Sequence, residues 1–273
     1  FDPSRDARVQ QRRATLLRIE QAMKAGELEL FFQPKMRLSN GSLFGAEALL
    51  RWPHPERGLL APGAFLDEIT GTPFSEVLDR WVAERALQHV AQWREAGQVV
   101  AVSVNMAVPT LTAPGFIEFM EKLLLQFPQL PTYTLEIEIL EYETMNDLAL
   151  VAQTIERLYA LGVRVSIDDF GTGYSSLSYL QRLPAQFLKI DQSFVRDMLS
   201  SDTDRALVQA VIGLAQAFGR EVVAEGVETH EHAAVLGAMG CDIVQGYGIA
   251  RPMPAADLPA WVSGYRLPAL VSA

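Results

Sequence analysis

The fold is decided by the stretch LELFFQPKMRLSNGSLFGAEALLR, which covers residues 28–51. It contains two apolar strand candidates, 28–33 and 43–51, joined by a short connection with the turn-forming pair Asn40 and Gly41. A parallel crossover needs about a dozen residues or more, usually including a helix. The connection is shorter than that, so the sequence predicts an antiparallel hairpin between the first two strands.

More strand candidates follow the hairpin, and helix candidates lie between most of them. The strands are rich in Val, Ile, Leu and Phe, as buried strands tend to be, and cover residues 99–105, 134–141, 163–168, 187–190, 221–225 and 242–247. Two amphipathic helices are predicted to begin at the N-caps Ser75 and Asn146 and to stop at Gly97 and Gly162. Alternating strands and helices predict a parallel sheet, and about eight strands predict a closed barrel. We therefore expect an α/β fold, a modified TIM (β/α)8 barrel with one antiparallel strand, the first, reversed in its hairpin with the second.

Composition excludes several classes of protein. No apolar run reaches the ~18 residues that a membrane span needs. The net charge of −10 disfavours a nucleic-acid groove, which would need clustered Lys and Arg. Cys241 is the single cysteine, so an internal disulfide is excluded and a reducing compartment is favoured. We expect a cytoplasmic domain without nucleic-acid or membrane contacts of its own, compatible with a membrane-anchored parent protein.

The length suits one large domain, since a barrel of this kind typically needs roughly 250 residues and the chain has 273. The chain opens on Phe1 rather than Met, which we interpret as a piece of a longer protein. Residues 1–27 are expected to form an N-terminal helix that leads from an upstream domain. Residues 28–273 are expected to form the barrel.

Strand alternation places polar residues on one face, opposite the apolar residues that would pack under the helices. The C-terminal strand ends form the barrel mouth, where barrel enzymes carry their chemistry. Six candidate ligands lie at these ends: Glu47, Asn105, Glu138, Asp168, Asp169 and Glu225. So many carboxylates in one mouth would repel each other, and without cations some would have to be protonated. Carboxylate and amide oxygens suit Mg²⁺, Mn²⁺ or Ca²⁺ rather than Zn²⁺, which indicates a metal site.

The same strand ends indicate a reaction at phosphorus. Asp168 and Asp169 are adjacent, and one carboxylate, for which we favour Asp168, can bridge two ions about 3.5–4 Å apart. Paired ions of this kind stabilise the attacking and leaving oxygens of a phosphodiester. Lys189 is a candidate for steering or deprotonating water or for neutralising phosphate charge. Arg51 is a candidate for gripping a phosphate oxygen.

Other carboxylates near the strand ends have structural interpretations. Glu136 lies deeper than Glu138 and is predicted to be an ion-pair partner in the core. Glu141 and Glu228 are predicted to anchor loops or helix entries. The glycine-containing segment 170–174 has the spacing of neither a P-loop nor a Rossmann fingerprint. Two interpretations of it stay open, a mobile loop over the metal site and a plain tight turn.

Taken in order, these residues resemble the bacterial EAL-domain family, the cyclic di-GMP phosphodiesterases. The segment EALLRW at 47–52 looks like the motif that names the family. The resemblance continues through SVN at 103–105, IDDFGTGYSSL at 167–177, LKID at 188–191, VAEGVET at 223–229 and QGY at 245–247. It therefore covers nearly the whole chain, from Leu28 to Pro254.

The resemblance implies a barrel with one antiparallel strand and an activity. That activity is hydrolysis of cyclic di-GMP to linear pGpG with Mg²⁺ or Mn²⁺, two ions being expected, and with inhibition by Ca²⁺. By matching position, the six candidate ligands would hold metal. Catalysis would fall to Glu47, Lys189, Glu225 and Gln245, with Lys189 and Gln245 at the catalytic water. Substrate would contact Gln33, Leu49, Arg51, Asp191, Tyr247 and Pro252, while Glu141 and Glu228 would anchor loops.

The resemblance also implies partners. These are cyclic di-GMP, a second copy of the chain in a homodimer formed near segment 170–174, and an upstream GGDEF or sensor domain. The setting would be bacterial second-messenger signalling and biofilm control. Two departures concern the rim: Leu140 stands before Glu141 where the family usually has Thr, and 66–77 lacks the usual acidic pattern. Neither departure touches a candidate ligand.

Two other functions stay open from the sequence. One is a receptor that binds cyclic di-GMP without cleaving it, although receptors of this family usually lose metal ligands and here the set is complete. The other, resting on the barrel alone, is a metal-dependent lyase or enolising enzyme acting on a small acid.

Overall fold

The computed structural model describes residues 3–141, 143, 147–171 and 177–265. Strands β1 (Glu29–Arg37) and β2 (Leu43–His54) form the expected antiparallel hairpin, with Gln33 opposite Glu47. The sequence interpretation ended β1 at Gln33, before the proline, and this end was wrong. Strand β1 continues to Arg37 because its last two residues, Met36 and Arg37, also pair with Val244 and Ile243 in a second neighbouring strand.

The hairpin closes a barrel with the parallel strands that follow. The remaining strands are β3 (Gly58–Leu60), β4 (Val102–Asn105), β5 (Leu135–Leu140), β6 (Arg164–Phe170), β7 (Phe187–Ile190), β8 (Glu221–Ala224), β9 (Ile243–Val244) and β10 (Met253–Pro254). Neighbours from β2 through β4 to β9 are parallel, and β1 pairs antiparallel with both β2 and β9. Short strands β3 and β10 extend the sheet outside this ring. The predicted α/β barrel with a reversed first strand is confirmed.

Helices surround the ring of strands. They are α1 (Pro3–Lys24), α2 (Pro73–Glu95), α3 (Val108–Leu111), α4 (Phe116–Leu125), α5 (Leu148–Ala160), α6 (Leu177–Arg182), α7 (Gln192–Asp197), α8 (Asp202–Ala217), α9 (His230–Ala238) and α10 (Leu258–Gly264), with 3-10 turns at Pro62–Ala64 and Leu66–Glu68. No helix within the described part of the chain is long and apolar enough to cross a membrane.

Both predicted N-caps were wrong, by three residues at α2 and by one residue at α5. Helix α2 begins earlier, after Thr72, because Pro73 is well suited to the first helical position, and Ser75 therefore lies inside the helix. Helix α5 is capped by Asp147, whose side chain accepts a hydrogen bond from the Leu150 amide at 3.1 Å. Asn146 lies outside the described residues.

Alternation along the strands separates an apolar outer face from a polar interior. Val104, Ile137, Ile167 and Leu188 are fully buried, as expected for side chains that pack beneath the helices. The residues between them carry their polar groups into the barrel, where ion pairs join strands on different sides of the ring. The fold therefore gathers polar side chains from many separate segments into one interior.

Candidate active site

A single ammonium group lies at the centre of the site. Lys189 on β7 is fully buried, and its Nζ lies 2.5 Å from Glu138, 2.6 Å from Glu225, 3.0 Å from Asp168 and 4.0 Å from Glu47. Burial alone would lower the pKa of Lys189, but these four carboxylates hold that pKa well above its usual range. The ammonium therefore stays charged and acts as an internal counter-ion for carboxylates from four strand ends.

Amide groups surround the carboxylate of Glu47. Its Oε1 accepts from Asn105 Nδ2 and its Oε2 from Gln245 Nε2, both at 2.7 Å. Gln245 also donates to Gln33 Oε1 at 3.0 Å, and Gln33 donates in turn to the Ala250 carbonyl at 3.0 Å. The chain of hydrogen bonds ties β1, β2, β4 and the segment after β9 together at the mouth, and it orients both oxygens of Glu47.

The adjacent aspartates form the other side of the cluster. Oxygens of Asp168, Asp169 and Glu225 lie within 4.8 Å of one another, close enough for one metal ion to contact all three. Asp169 has a φ of 53°, in the left-handed region that few residues other than glycine adopt. Its amide donates to Asp168 Oδ1 at 2.9 Å, and its side chain is hydrogen-bonded to Asp191. The turned backbone lets two consecutive carboxylates serve the same site.

Burial perturbs the pKa values of these carboxyls in different directions. Burial raises the pKa of Glu225 to about 8, although Lys189 opposes the rise. Burial and the neighbouring aspartate raise the pKa of Asp169 to about 6. Burial would also raise the pKa of Glu138, but the ammonium groups of Lys189 and Lys35 lower it to about 2. Burial is thus the main cause of both raised pKa values, and repulsion from the neighbouring carboxylates adds to it.

Lys35 is a site residue that the sequence interpretation missed. It lies on β1, is buried, and its Nζ is 2.6 Å from Glu138 and 3.4 Å from Glu136. The contact agrees with the prediction that Glu136 is an ion-pair partner in the core. Lys35 shares a strand face with Gln33, so continued alternation would have placed it inside the barrel. It was missed because the predicted strand stopped short of it.

A second missed group lies beside the mouth on helix α2. Asp79 accepts hydrogen bonds from Thr110 Oγ1 at 2.6 Å and from the Ala107 amide at 3.2 Å, and burial raises its pKa to about 6. Glu143 accepts from the Val108 amide at 2.8 Å. These two carboxylates hold the chain where it leaves β4. A lone aspartate on an amphipathic helix gives no sequence signal for such a contact.

The predicted substrate contacts at the mouth are more exposed. Arg51 is half-buried, donates to the Leu50 carbonyl at 2.8 Å and lies over the Phe31 ring at 5.7 Å. Tyr247 is exposed, with the Arg251 guanidinium 4.3 Å from its ring centre. Both side chains are therefore available to a ligand at the mouth, and their roles stay predictions.

Other predicted contacts lie around the rim of the same mouth. Leu49 lines a cavity of about 640 Å³ that reaches Asn105 and Glu138, between the barrel and the segment before α2. Pro252 is half-buried after the barrel's last strand. Asp191 caps helix α7 by accepting from the Ser193 amide at 3.1 Å, besides contacting the aspartate pair. A substrate role for Asp191 would have to leave its hydrogen bond with the Ser193 amide in place.

The two predicted loop-anchoring carboxylates are placed differently. Glu141 is buried, and its Oε2 accepts from the Gly171 amide at 3.1 Å, at the start of the glycine-containing segment. Glu228 is exposed. Residues 172–176 lie outside the described residues. Both interpretations of this segment, a mobile loop and a tight turn, therefore stay open. Anchoring by either carboxylate stays a prediction.

Comparison with known proteins agrees with this arrangement. The EAL domain family profile matches residues 17–252. The chain is 37% identical over 264 residues to the Pseudomonas aeruginosa bifunctional diguanylate cyclase/cyclic di-GMP phosphodiesterase MucR, covering 96% of this chain and 38% of that protein. It is 40% identical over 252 residues to the cyclic di-GMP phosphodiesterase NbdA of the same organism, covering 92% and 32%. The chain thus spans about a third of the length of these relatives.

A solved structure extends the likeness to three dimensions. The PaMucR phosphodiesterase in complex with c-di-GMP superposes with a TM-score of 0.84 at 38% identity, covering 90% of this chain and 99% of that one. The similarity therefore extends over most of this chain and nearly all of that one. With the family profile matched over most of its length, the chain belongs to the EAL domain family.

Proposed function

We propose that this domain hydrolyses cyclic di-GMP to linear pGpG with two divalent cations, Mg²⁺ or Mn²⁺. The observation that carries the proposal is the cluster of four strand-end carboxylates around the buried Lys189 ammonium. The relatives named as cyclic di-GMP phosphodiesterases support the choice of substrate. Fold alone would have left the reaction open.

The charge in the barrel interior supports divalent cations. Five of the candidate ligands are carboxyls: Glu47, Glu138, Asp168, Asp169 and Glu225. They outnumber the two buried lysines among them, so negative charge remains for divalent cations to neutralise. The donors are hard oxygens, as Mg²⁺ and Mn²⁺ prefer. When bound, such ions would activate water and neutralise charge on the phosphodiester. Asp168 stays our candidate for the bridging ligand.

The protein's own groups would position the reactants. The Lys189 ammonium lies between Glu47 and Glu225, and the Gln245 amide donates to Glu47 and Gln33 while its buried Oε1 has no partner among the described residues. These two side chains would orient the attacking water. Arg51 at the mouth would hold a non-bridging phosphate oxygen. The water oxygen bonds to phosphorus as the bond to the ribose 3′ oxygen breaks, and the water's proton is transferred so that a 3′ hydroxyl leaves. One ring-opening cleavage gives pGpG.

Product chromatography tests the proposal directly. Cyclic di-GMP is incubated with the protein in Mg²⁺, Mn²⁺, Ca²⁺ or EDTA, and Glu47→Gln serves as the variant that loses one ligand charge. We expect pGpG with Mg²⁺ or Mn²⁺, inhibition by Ca²⁺, and little product in EDTA or from the variant. Full activity in EDTA would refute it. Binding without turnover in Mn²⁺ would favour a receptor, and binding of a small keto acid instead would favour a lyase.

The wider setting is also part of the proposal. Residues 1–27 would connect the barrel of residues 28–273 to an upstream GGDEF or sensor domain, and the domain would act in the cytoplasm. The bifunctional name of the relative MucR supports a second domain. Two copies would pair near segment 170–174. Analytical ultracentrifugation with and without cyclic di-GMP measures this pairing, and a monomer under both conditions would contradict it.

A further inference from the structure

The reversed strand β1 contributes to two layers of the barrel interior. It enters at the mouth, where Gln33 hydrogen-bonds Gln245, and runs toward the opposite end. Lys35, two residues on, projects from the same strand face one layer deeper and is buried. Its cross-strand partner is Gly45, where a Cβ would lie 2.8 Å from the Ala101 carbonyl oxygen. The Lys35 side chain extends to β5, where its ammonium meets Glu136 and Glu138.

The ammonium of Lys35 makes its short contact with a candidate ligand. Nζ lies 2.6 Å from Glu138 Oε1, whereas Glu136 Oε1 is 3.4 Å away. The other oxygen of Glu138 contacts Lys189 at 2.5 Å. Glu138 is thus held from two walls of the barrel, one oxygen by each lysine. Glu47, in contrast, has an amide donor on each oxygen.

We propose that Lys35 is a positioning residue that fixes one oxygen of Glu138 and so keeps the other, which contacts Lys189, directed toward the metal site. The inference rests on the proposed function, because the orientation of Glu138 matters for the reaction only when a divalent cation binds there. The competing explanation is a core ion pair in which Lys35 serves only to neutralise Glu136. The shorter distance to Glu138 favours positioning, since a charge-assisted hydrogen bond is strong near 2.7–2.9 Å and weak at 3.4 Å.

A charge-neutral double variant separates the two explanations. Lys35→Met with Glu136→Gln removes one positive and one negative charge, so the interior keeps its net charge and no carboxylate at position 136 is left unpaired. Glu136→Gln alone is the matched control, because it retains the contact between Lys35 and Glu138. Lys35→Arg with Glu136→Gln tests rescue by another cation. Lys35→Gln with Glu136→Gln is the second removal variant, should methionine at that depth prevent folding.

The main readout is Mn²⁺ affinity of the metal-free protein, measured by electron paramagnetic resonance or calorimetry. We expect the Met or Gln double variant to bind Mn²⁺ about 10- to 100-fold more weakly than wild type, which has the same interior net charge, with partial recovery by Arg and a smaller loss for Glu136→Gln alone. For hydrolysis, kcat should fall while the KM for cyclic di-GMP stays unchanged. Equal Mn²⁺ affinity of the double variant and wild type would overturn the proposal.

The Mn²⁺ measurement also keeps the two proposals apart. If wild-type protein binds Mn²⁺ but releases no pGpG, the proposed function fails, and the comparison of affinities still decides the role of Lys35. If wild-type protein binds no Mn²⁺, both are refuted.

Discussion

Replacing Lys189 by methionine tests whether its ammonium is the counter-ion of the metal-free site. The change keeps a stem of similar length but leaves Glu138, Glu225 and Asp168 without the group that lies within 3.0 Å of each. Removing one partner of a buried ion pair costs about 3–5 kcal/mol. In a domain of this size each kcal/mol shifts Tm by about 2–4 °C, so we expect the Tm of the metal-free variant to fall by roughly 10 °C.

Cations should affect the variant differently from wild type. Without the ammonium, the interior has one more unbalanced negative charge, and Mn²⁺ no longer shares the carboxylate oxygens with Lys189. Mn²⁺ at about 100 times its Kd adds about 2.7 kcal/mol to the free energy of unfolding, and we expect at least this gain in Lys189→Met. Hydrolysis should nevertheless fall by about 100-fold or more, because the group that orients the water is missing.

The assay is thermal unfolding followed by circular dichroism, in EDTA and across a Mn²⁺ series. Lys122→Met on the exposed face of α4 is the control for loss of a lysine outside the barrel. Wild-type stability in metal-free Lys189→Met would show that the carboxyls are neutral by protonation and that the counter-ion argument is wrong. Loss of Mn²⁺ stabilisation in the variant would refute the competition between ammonium and metal.

Three further changes concern stability. Burial raises the pKa of Asp79 to about 6, so ionising this carboxyl in the folded state costs stability as pH rises from about 4 through 6. In urea titrations, Asp79→Asn should therefore gain about 3 kcal/mol in unfolding free energy over wild type between pH 4 and pH 7. A difference that does not change with pH would contradict this. Gly246→Ala would place its Cβ 2.2 Å from the Val227 carbonyl oxygen, and we expect a loss of at least about 3 kcal/mol in the same titrations, with unchanged stability as the refuting result. Asp147→Ala removes the cap bond to Leu150 and should cost about 1 kcal/mol, whereas Asp147→Ser should cost less.

Most of the fold followed from local pattern and chain length. Apolar runs located the strands because a barrel strand is buried on its outer face, and the short connection after β1 excluded a parallel crossover. The strand ends were less predictable. Pro34 has no amide to donate, which favours a strand end, yet pairing with β2 and β9 carries β1 past it to Arg37. Because the predicted strand ended before Lys35, the sequence did not predict that this residue lies inside the barrel.

The residues of the site, like the strands, were only partly predictable from the sequence. Side chains at the C-terminal ends of parallel strands share one mouth, so the six candidate ligands could be grouped from strand order alone. Asp79 could not, because its partners Thr110 and Ala107 come from a distant part of the chain and only packing brings helix α2 to them. The backbone turn at Asp169 was equally invisible, since an aspartate adopts a positive φ only where its surroundings require it.

The two lysines change how the acidic mouth should be understood. From sequence, carboxylates in one mouth seemed to need either bound cations or protonation. In the structure, Lys189 reaches carboxylates from β2, β5, β6 and the residue after β8, and Lys35 reaches β5 from the reversed strand. Part of the charge is therefore balanced by the chain itself, which leaves less negative charge for protonation or bound cations to neutralise.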